Sequence, residues 1–395
     1  MPLSLDYAKR LLARLDLPTD AEKVLGSASY WDETPCELYF ERCEDLIYRD
    51  PIAALHPAEI APRLASAVPE EQNPEGRRKH RDLLVRAYGI LGSAYRAVGR
   101  HAEAQRSFDF ALRMDRKGIS AGARTLLYRR IAYLKASENR LDEALFLAND
   151  AVRVSDSQNS LAAGYTVRGY VNIKLGHYSD GVRDFGKALS IIDPKKDPQR
   201  EEPIRVRYAA VHNLVYAISL CPSPESLGDL RFYLRTARKL VPSHRRSLPK
   251  YQLYWLEGLS LIKLGSGRRG ERLLHRAQDG FREIGAHFEL ALVSLDISEI
   301  YREEERWDEL EKLAGETCQR FSVLSADAEA IAALKLWQEA AQLKNLEDTL
   351  LSDLKATLTE RMRCASPPPK YDLSKSRTGS IERLHQHTHL VEVSP

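Results

Sequence analysis

Cysteine, methionine and tryptophan are scarce in this chain of 395 residues, which holds five, three and four of them. The five cysteines, Cys36, Cys43, Cys221, Cys318 and Cys364, are odd in number and widely scattered, with no Cys-x-x-Cys pair. That argues against a zinc ribbon, a dithiol redox site or a disulfide framework, and leaves reduced thiols in a cytoplasmic protein as the expectation. Long apolar runs are lacking too. No window of about 18 residues could satisfy a bilayer core as a spanning helix, so a soluble protein without a membrane partner is expected. The first residues, MPLSLDYAKRLLARLDLP, alternate charge with leucine at a helical period and lack the apolar core and small-residue cleavage site of a signal peptide. Charge of one sign is not in surplus either: 59 basic and 56 acidic residues leave a formal +3. No overall field would draw in nucleic acid, and none is expected as a partner.

Chemistry-bearing patterns are equally thin. The chain contains no nucleophile elbow, no His-Glu-x-x-His, no phosphate-cradling GxxxxGK[ST] loop and no helix with paired inward carboxylates followed by histidine. The expectation is a protein that is not an enzyme, with no cofactor and no metal.

What the chain does have is helix-forming composition: 43% hydrophobic and 29% charged residues, with strand formers few. It also repeats. Within YGILGSAYRAVGRHAEAQRSFDFA, Tyr88, Leu91, Gly92 and Tyr95 share one helix, Gly99 marks a turn, and Ala104, Phe108 and Ala111 share a second. Small residues fall where paired helices must touch, and large ones fill the gaps between. Tyr128, Ile131, Ala132, Ala144, Ala148 and Ala151 recur at the same offsets, with Asn139 at the turn, and so do Tyr165, Gly169, Gly176, Tyr178, Gly181, Phe185 and Ala188. Tyr254, Gly258, Leu261, Gly265, Gly270, Leu274 and Ala277 form another unit, and Ile297, Tyr301, Trp307, Leu310 and Ala314 a weaker one.

This pattern resembles the tetratricopeptide (TPR) signature at the small and large positions of the first unit, except for its closing proline. Successive tyrosine anchors lie further apart than the about 34 residues of the standard motif, so turns or helices must be lengthened. Bacterial regulatory and adaptor proteins with lengthened, degenerate TPR arrays look like this chain over about two thirds of it. The resemblance implies an all-α, right-handed α-α superhelix of about six helix pairs and a partner that is a protein or peptide.

The expected organisation is an N-terminal helical cap over 1–80, with helices near 3–15, 35–49 and 57–68. A repeat array follows over 84–362, and a flexible tail over 363–395. The polar stretch Glu70 to Arg81 reads as the linker between cap and array. One helix pair, about 204 to 220 and 225 to 241, carries no clear signature, and a last is expected at about 326 to 362.

Several local patterns imitate other chemistry. GSGRRG, from Gly265 to Gly270, matches a dinucleotide fingerprint, but a helical period precedes it where a strand would be needed. His385, His387 and His389 alternate as metal ligands can on a strand, without a supporting carboxylate or thiol, and read as solvated tail. Cys36 and Cys43 share a helix face and read as buried thiols. The basic groups Arg77-Arg78-Lys79, Arg245-Arg246 and Arg268-Arg269 read as solvated turns.

By the geometry the resemblance implies, the groove-facing positions on first helices are Arg96, Arg129, Tyr133, Tyr170, Arg207 and Trp255. Arginine and aromatic residues anchor interfaces, although Tyr133, Tyr170 and Trp255 serve equally as packing between neighbouring helices. The three arginines are expected to be exposed, because a buried guanidinium needs a partner. Together they favour an acidic peptide. Some relatives of this type hold a chain terminus with a lysine and asparagine clamp; that arrangement is not evident here, and Asn213 is the one suitably placed asparagine. The expected function is a non-enzymatic scaffold or regulator. The alternatives are a ligand- or peptide-responsive sensor controlling a transcription factor or protease, and an assembly subunit whose C-terminal tail is docked or cleaved by a partner.

Overall fold

A computed structural model describes residues 33–49, 51–192, 201–220, 224–241, 248–323 and 327–343. The helix expected at 3–15, the tail with its three histidines, Arg245-Arg246, Cys221, Cys364 and the end of the last expected pair lie outside these residues. Among the described residues there are fifteen helices and no strand. They are α1 (Glu33–Arg49), α2 (Leu55–Ala67), α3 (Pro74–Ala97), α4 (His101–Asp115), α5 (Ala121–Ser137), α6 (Leu141–Val154), α7 (Gln158–Lys174), α8 (Tyr178–Ile191), α9 (Glu201–Leu220), α10 (Pro224–Leu240), α11 (Leu248–Lys263), α12 (Gly267–Glu283), α13 (His287–Glu303), α14 (Trp307–Val323) and α15 (Asp327–Leu343). The chain divides within α9 into two compact units, one reaching Leu214 and the other starting at Val215.

One turn is used again and again. Between α3 and α4, Gly99 takes φ +77°, and the Arg100 amide donates to the Tyr95 carbonyl at 2.8 Å. Asn139, Gly176, Gly265 and Glu305 stand at the same place in later pairs with φ between +57° and +81°, and the next amide again reaches back across the last helical turn at 2.8 Å. This left-handed closure satisfies carbonyls that would otherwise be orphaned at the helix end.

Each pair then closes over a small residue. A methyl placed on Gly92 would lie 2.7 Å from the Phe108 ring, and one on Gly169 would lie 2.8 Å from the Phe185 ring. The same corner of the α11/α12 pair sets Gly258 against Leu274 and Gly270. Phe108, Phe185 and Leu274 are fully buried there.

In the first unit the first helices approach one another: α3 packs on α5 and α5 on α7, besides each packing on its own partner. Among the described residues the second helices α4, α6 and α8 make no comparable contact with one another. A row of helices whose first members are the closer set presents those first members on its inner side. Helices α1 and α2 pack on α3, the first helix of the row. Cys36, Tyr39, Phe40, Cys43 and Ile47 of α1 and Ile60, Ala61 and Leu64 of α2 share one core with Leu83, Ala87 and Ile90 of α3. Cys36 and Cys43 are fully buried in it.

The stretch expected to be a linker is partly helical. The Asn73 side chain accepts the Gly76 amide at 2.7 Å and Pro74 opens α3, so the helix begins where composition suggested coil. Arg77, Arg78 and Lys79 are accordingly helical, and Arg78 pairs with Glu75 at 2.7 Å. Arg268 and Arg269 also lie in a helix, the first turn of α12.

A core of the second unit is built from Tyr251, Trp255, Leu274, Phe281, Leu290, Leu295, Leu310, Leu336 and Trp337 among others. Against it lies a crowded carboxyl. Glu299 of α13 pairs with Arg302 at 2.6 Å, yet burial, aided by the negative charges of Asp296, Glu303 and Glu339, pushes its carboxyl up to about 7. Between the ordinary value of 4.5 and about 7 the folded chain therefore holds a proton that the unfolded chain releases. Stability must fall as pH rises through that interval. Melting curves of the Glu299→Gln variant should coincide with wild type near pH 4.5 and rise above it at alkaline pH, by no more than about 3 kcal/mol. A constant difference across the interval would remove the assignment.

Candidate functional site

The inner wall of the first unit carries an alternation of cations and rings. On α3, the Arg96 guanidinium lies 5.7 Å from the centre of the Tyr133 ring on α5. Tyr133 meets Tyr170 of α7 edge-on, with ring centres 5.1 Å apart and planes at 76°. The Lys174 ammonium lies 5.6 Å from the Tyr170 ring. Three successive first helices are thus linked by cation-π and edge-to-face contacts, each worth about 0.5–1.5 kcal/mol. Tyr133 and Tyr170 are buried, whereas Arg96 is half-buried. The structure brings Arg96, Tyr133 and Tyr170 into one array.

The other candidates sit apart from that chain of contacts. Arg207 on α9 is half-buried, and its guanidinium donates to the Ile192 carbonyl at 3.5 Å. Asn213 is fully buried on the same helix. Trp255 belongs to the second unit, where its indole N–H donates to Asp296 at 2.5 Å and its ring meets Phe281 edge-on. Arg129 departs from expectation: it is 3% exposed rather than open to solvent. It lies near enough to Arg130 for the two charges to repel each other.

Arg129 belongs to a constellation that the sequence reading missed. Glu44 of α1 is buried and accepts from Arg130 of α5 at 2.9 Å and from Arg86 of α3 at 3.4 Å, while Arg205 of α9 stands 4.0 Å away. Arg86 also pairs with Glu37, near the solvent edge. Arg130, 2% exposed, sends its other terminal nitrogen to the Arg86 carbonyl at 2.9 Å. It reaches across α3 because residue 89 is glycine: a methyl there would lie 2.3 Å from the guanidinium.

The electrostatics follow from crowding. Burial drives the Glu44 carboxyl up, but Arg86, Arg130 and Arg205 together outweigh it and hold the group below its ordinary value. Burial pulls the Arg130 guanidinium down to about 10, with Arg86 and Arg129 adding to the fall and Glu44 opposing it. Arg86 shifts the other way: burial disfavours its charge, but two carboxylates more than compensate. One buried carboxylate thus serves three guanidinium groups.

No family model matches the chain, and no curated protein matches it. Solved structures do. A Rap protein complexed with competence and sporulation factor superimposes with a TM-score of 0.56 at 13% identity, covering 84% of this chain and 92% of that one. A signal transduction ATPase with numerous domains from Pyrococcus horikoshii, which carries a tetratricopeptide repeat sensor, gives 0.51 at 13% identity, covering 86% of this chain and 48% of that one. The fold is that of TPR-like helical repeats. Among the described residues no helix is long and apolar enough to cross a membrane, and no cluster of three or more His, Cys, Asp or Glu could hold a metal ion. Two of the three glycines of GSGRRG act as turn and packing residues: Gly265 closes α11 at φ +76°, and Gly270 lies against Gly258.

Proposed function

We propose that this chain is a non-catalytic regulator or scaffold of the cytoplasm, and that the first-helix wall of its first unit binds a peptide segment of a partner protein. The observation that carries the reading is the Arg96–Tyr133–Tyr170–Lys174 array on three successive first helices. Partly exposed cations over tyrosine rings offer an extended peptide both stacking surface and hydrogen-bond donors. Arg207, Asn213, Arg129 and Trp255, which lie outside that chain of contacts, are further partner-binding positions in this reading. The likeness to a Rap protein complexed with competence and sporulation factor supports this reading. In this reading α1 and α2 cap the array.

Selection of displayed random peptides on the full chain tests it. Peptides that bind wild type should bind the Arg96→Glu, Arg207→Glu double variant at least about tenfold more weakly, with unchanged circular dichroism. Equal binding by the double variant would refute the wall as the site.

A further inference from the structure

Resting on that reading, the cluster around Glu44 bears on what the partner must carry. Three arginines from three different helices of the row, Arg86, Arg130 and Arg205, converge on a carboxylate supplied by α1, outside the repeats. As a means of holding α1 in place this is poor design. Desolvating such charges offsets most of their attraction, and α1 is already held by Cys36, Tyr39, Phe40, Cys43 and Ile47 in a shared apolar core.

Arg86, Arg130 and Arg205 all approach Glu44, and Arg86 also pairs with the half-exposed Glu37. Arg130 has donor capacity to spare: its Nε is buried and has no acceptor among the described residues. A guanidinium presents donors along two edges, and Glu44 with the Arg86 carbonyl occupies only the terminal nitrogens of this one. The cluster is not sealed, since Arg86 retains 23% exposure and Arg205 retains 11%.

We propose that Glu44 is an internal stand-in for a partner's carboxylate: Arg86, Arg130 and Arg205 form an anion site for an acidic side chain of the bound peptide, and Glu44 competes for it. The site selects for an Asp or Glu in the partner, and Glu44 sets the threshold by forcing that group to displace a preorganised competitor. Recognition is then a difference between two carboxylates. Neutralising the internal one should strengthen binding, which is the reverse of what a residue that merely supports the wall would do.

The test uses the full chain, fluorescein-labelled hexaglutamate as probe and hexaglutamine as the neutral control, read by fluorescence anisotropy. Glu44→Gln should bind hexaglutamate at least about tenfold more tightly than wild type, and Arg205→Gln at least about tenfold more weakly. Glu41→Gln, an exposed position on the same helix, should match wild type, and hexaglutamine should bind none of them. If Glu44→Gln does not fold in dilute buffer, its melting transition should return on adding hexaglutamate and not hexaglutamine. Glu44→Gln binding no tighter than wild type, or an unfolded variant that hexaglutamate leaves unfolded, overturns the proposal. Neither result touches the peptide-binding reading, which stands or falls on selected peptides and the Arg96, Arg207 variant.

Discussion

Replacing Gly270 by alanine should destabilise the second unit by about 1–2 kcal/mol, although alanine is much the better helix former. Gly270 sits on α12 where that helix crosses α11, and a methyl there would lie 2.6 Å from the Gly258 carbonyl oxygen and 2.6 Å from Ile262. A side chain can swing aside, but a backbone carbonyl inside a helix cannot. The helices would have to separate, loosening Leu274, Ala277 and Phe281 from Tyr251 and Trp255. Overpacking of this kind costs about 1–3 kcal/mol or somewhat more, against about 1 kcal/mol gained from helix propensity. Gly186 on α8 is the control, because a methyl there meets nothing within 4 Å and the residue is exposed. Gly186→Ala should stabilise the chain by up to about 1 kcal/mol. Urea unfolding followed by circular dichroism measures both. A Gly270→Ala midpoint at or above wild type would show that the Gly258–Gly270 approach does not constrain the pair.

That crossing also shows why so much of the fold could be read from the sequence. Small residues recur where helices must touch, and Gly92 against Phe108, Gly169 against Phe185 and Gly258 against Leu274 are one contact made three times. Turn residues carried the register as well, through Gly99, Asn139, Gly176 and Gly265. Glu305 adopts the same left-handed backbone with no propensity to announce it, so the turn before Trp307 is visible only from its spacing. Asn73-Pro74 is a helix start that a count of polar residues reads as coil. The site was harder. Position within a repeat singled out Arg96, Tyr133 and Tyr170, whose side chains meet across three first helices, because the offset from the tyrosine anchor fixes which way a first helix faces. It could not show that Arg129 would be buried, nor that its neighbour Arg130 would pair with a residue 86 positions away. Periodicity reports which face of a helix is covered, not what acceptor waits on the other side. Glu44 belongs to no repeat, so no offset could align it with the arginines it meets.

Removing that acceptor should be the most damaging single change in the first unit. Glu44→Ala leaves Arg130 fully desolvated with one backbone carbonyl as its partner, removes a carboxylate 4.0 Å from Arg205, and leaves Arg86 with Glu37 as its carboxylate. Breaking a buried pair from one side costs about 3–5 kcal/mol, because the remaining charge keeps its desolvation penalty. Arg130→Met should cost less, since Glu44 would keep Arg86 and Arg205 and the replacement fills similar space with apolar atoms. The dependence on pH fixes the origin of the effect. The folded Glu44 carboxyl lies below its ordinary value of 4.5, so its contribution is present above 4.5 and is lost as pH falls through the lower folded value. The stability gap between wild type and Glu44→Gln should therefore be constant near neutrality and close in acid, below 4.5. A gap that persists unchanged into acid would mean that the loss reflects packing alone and that the three arginines do not depend on the Glu44 charge.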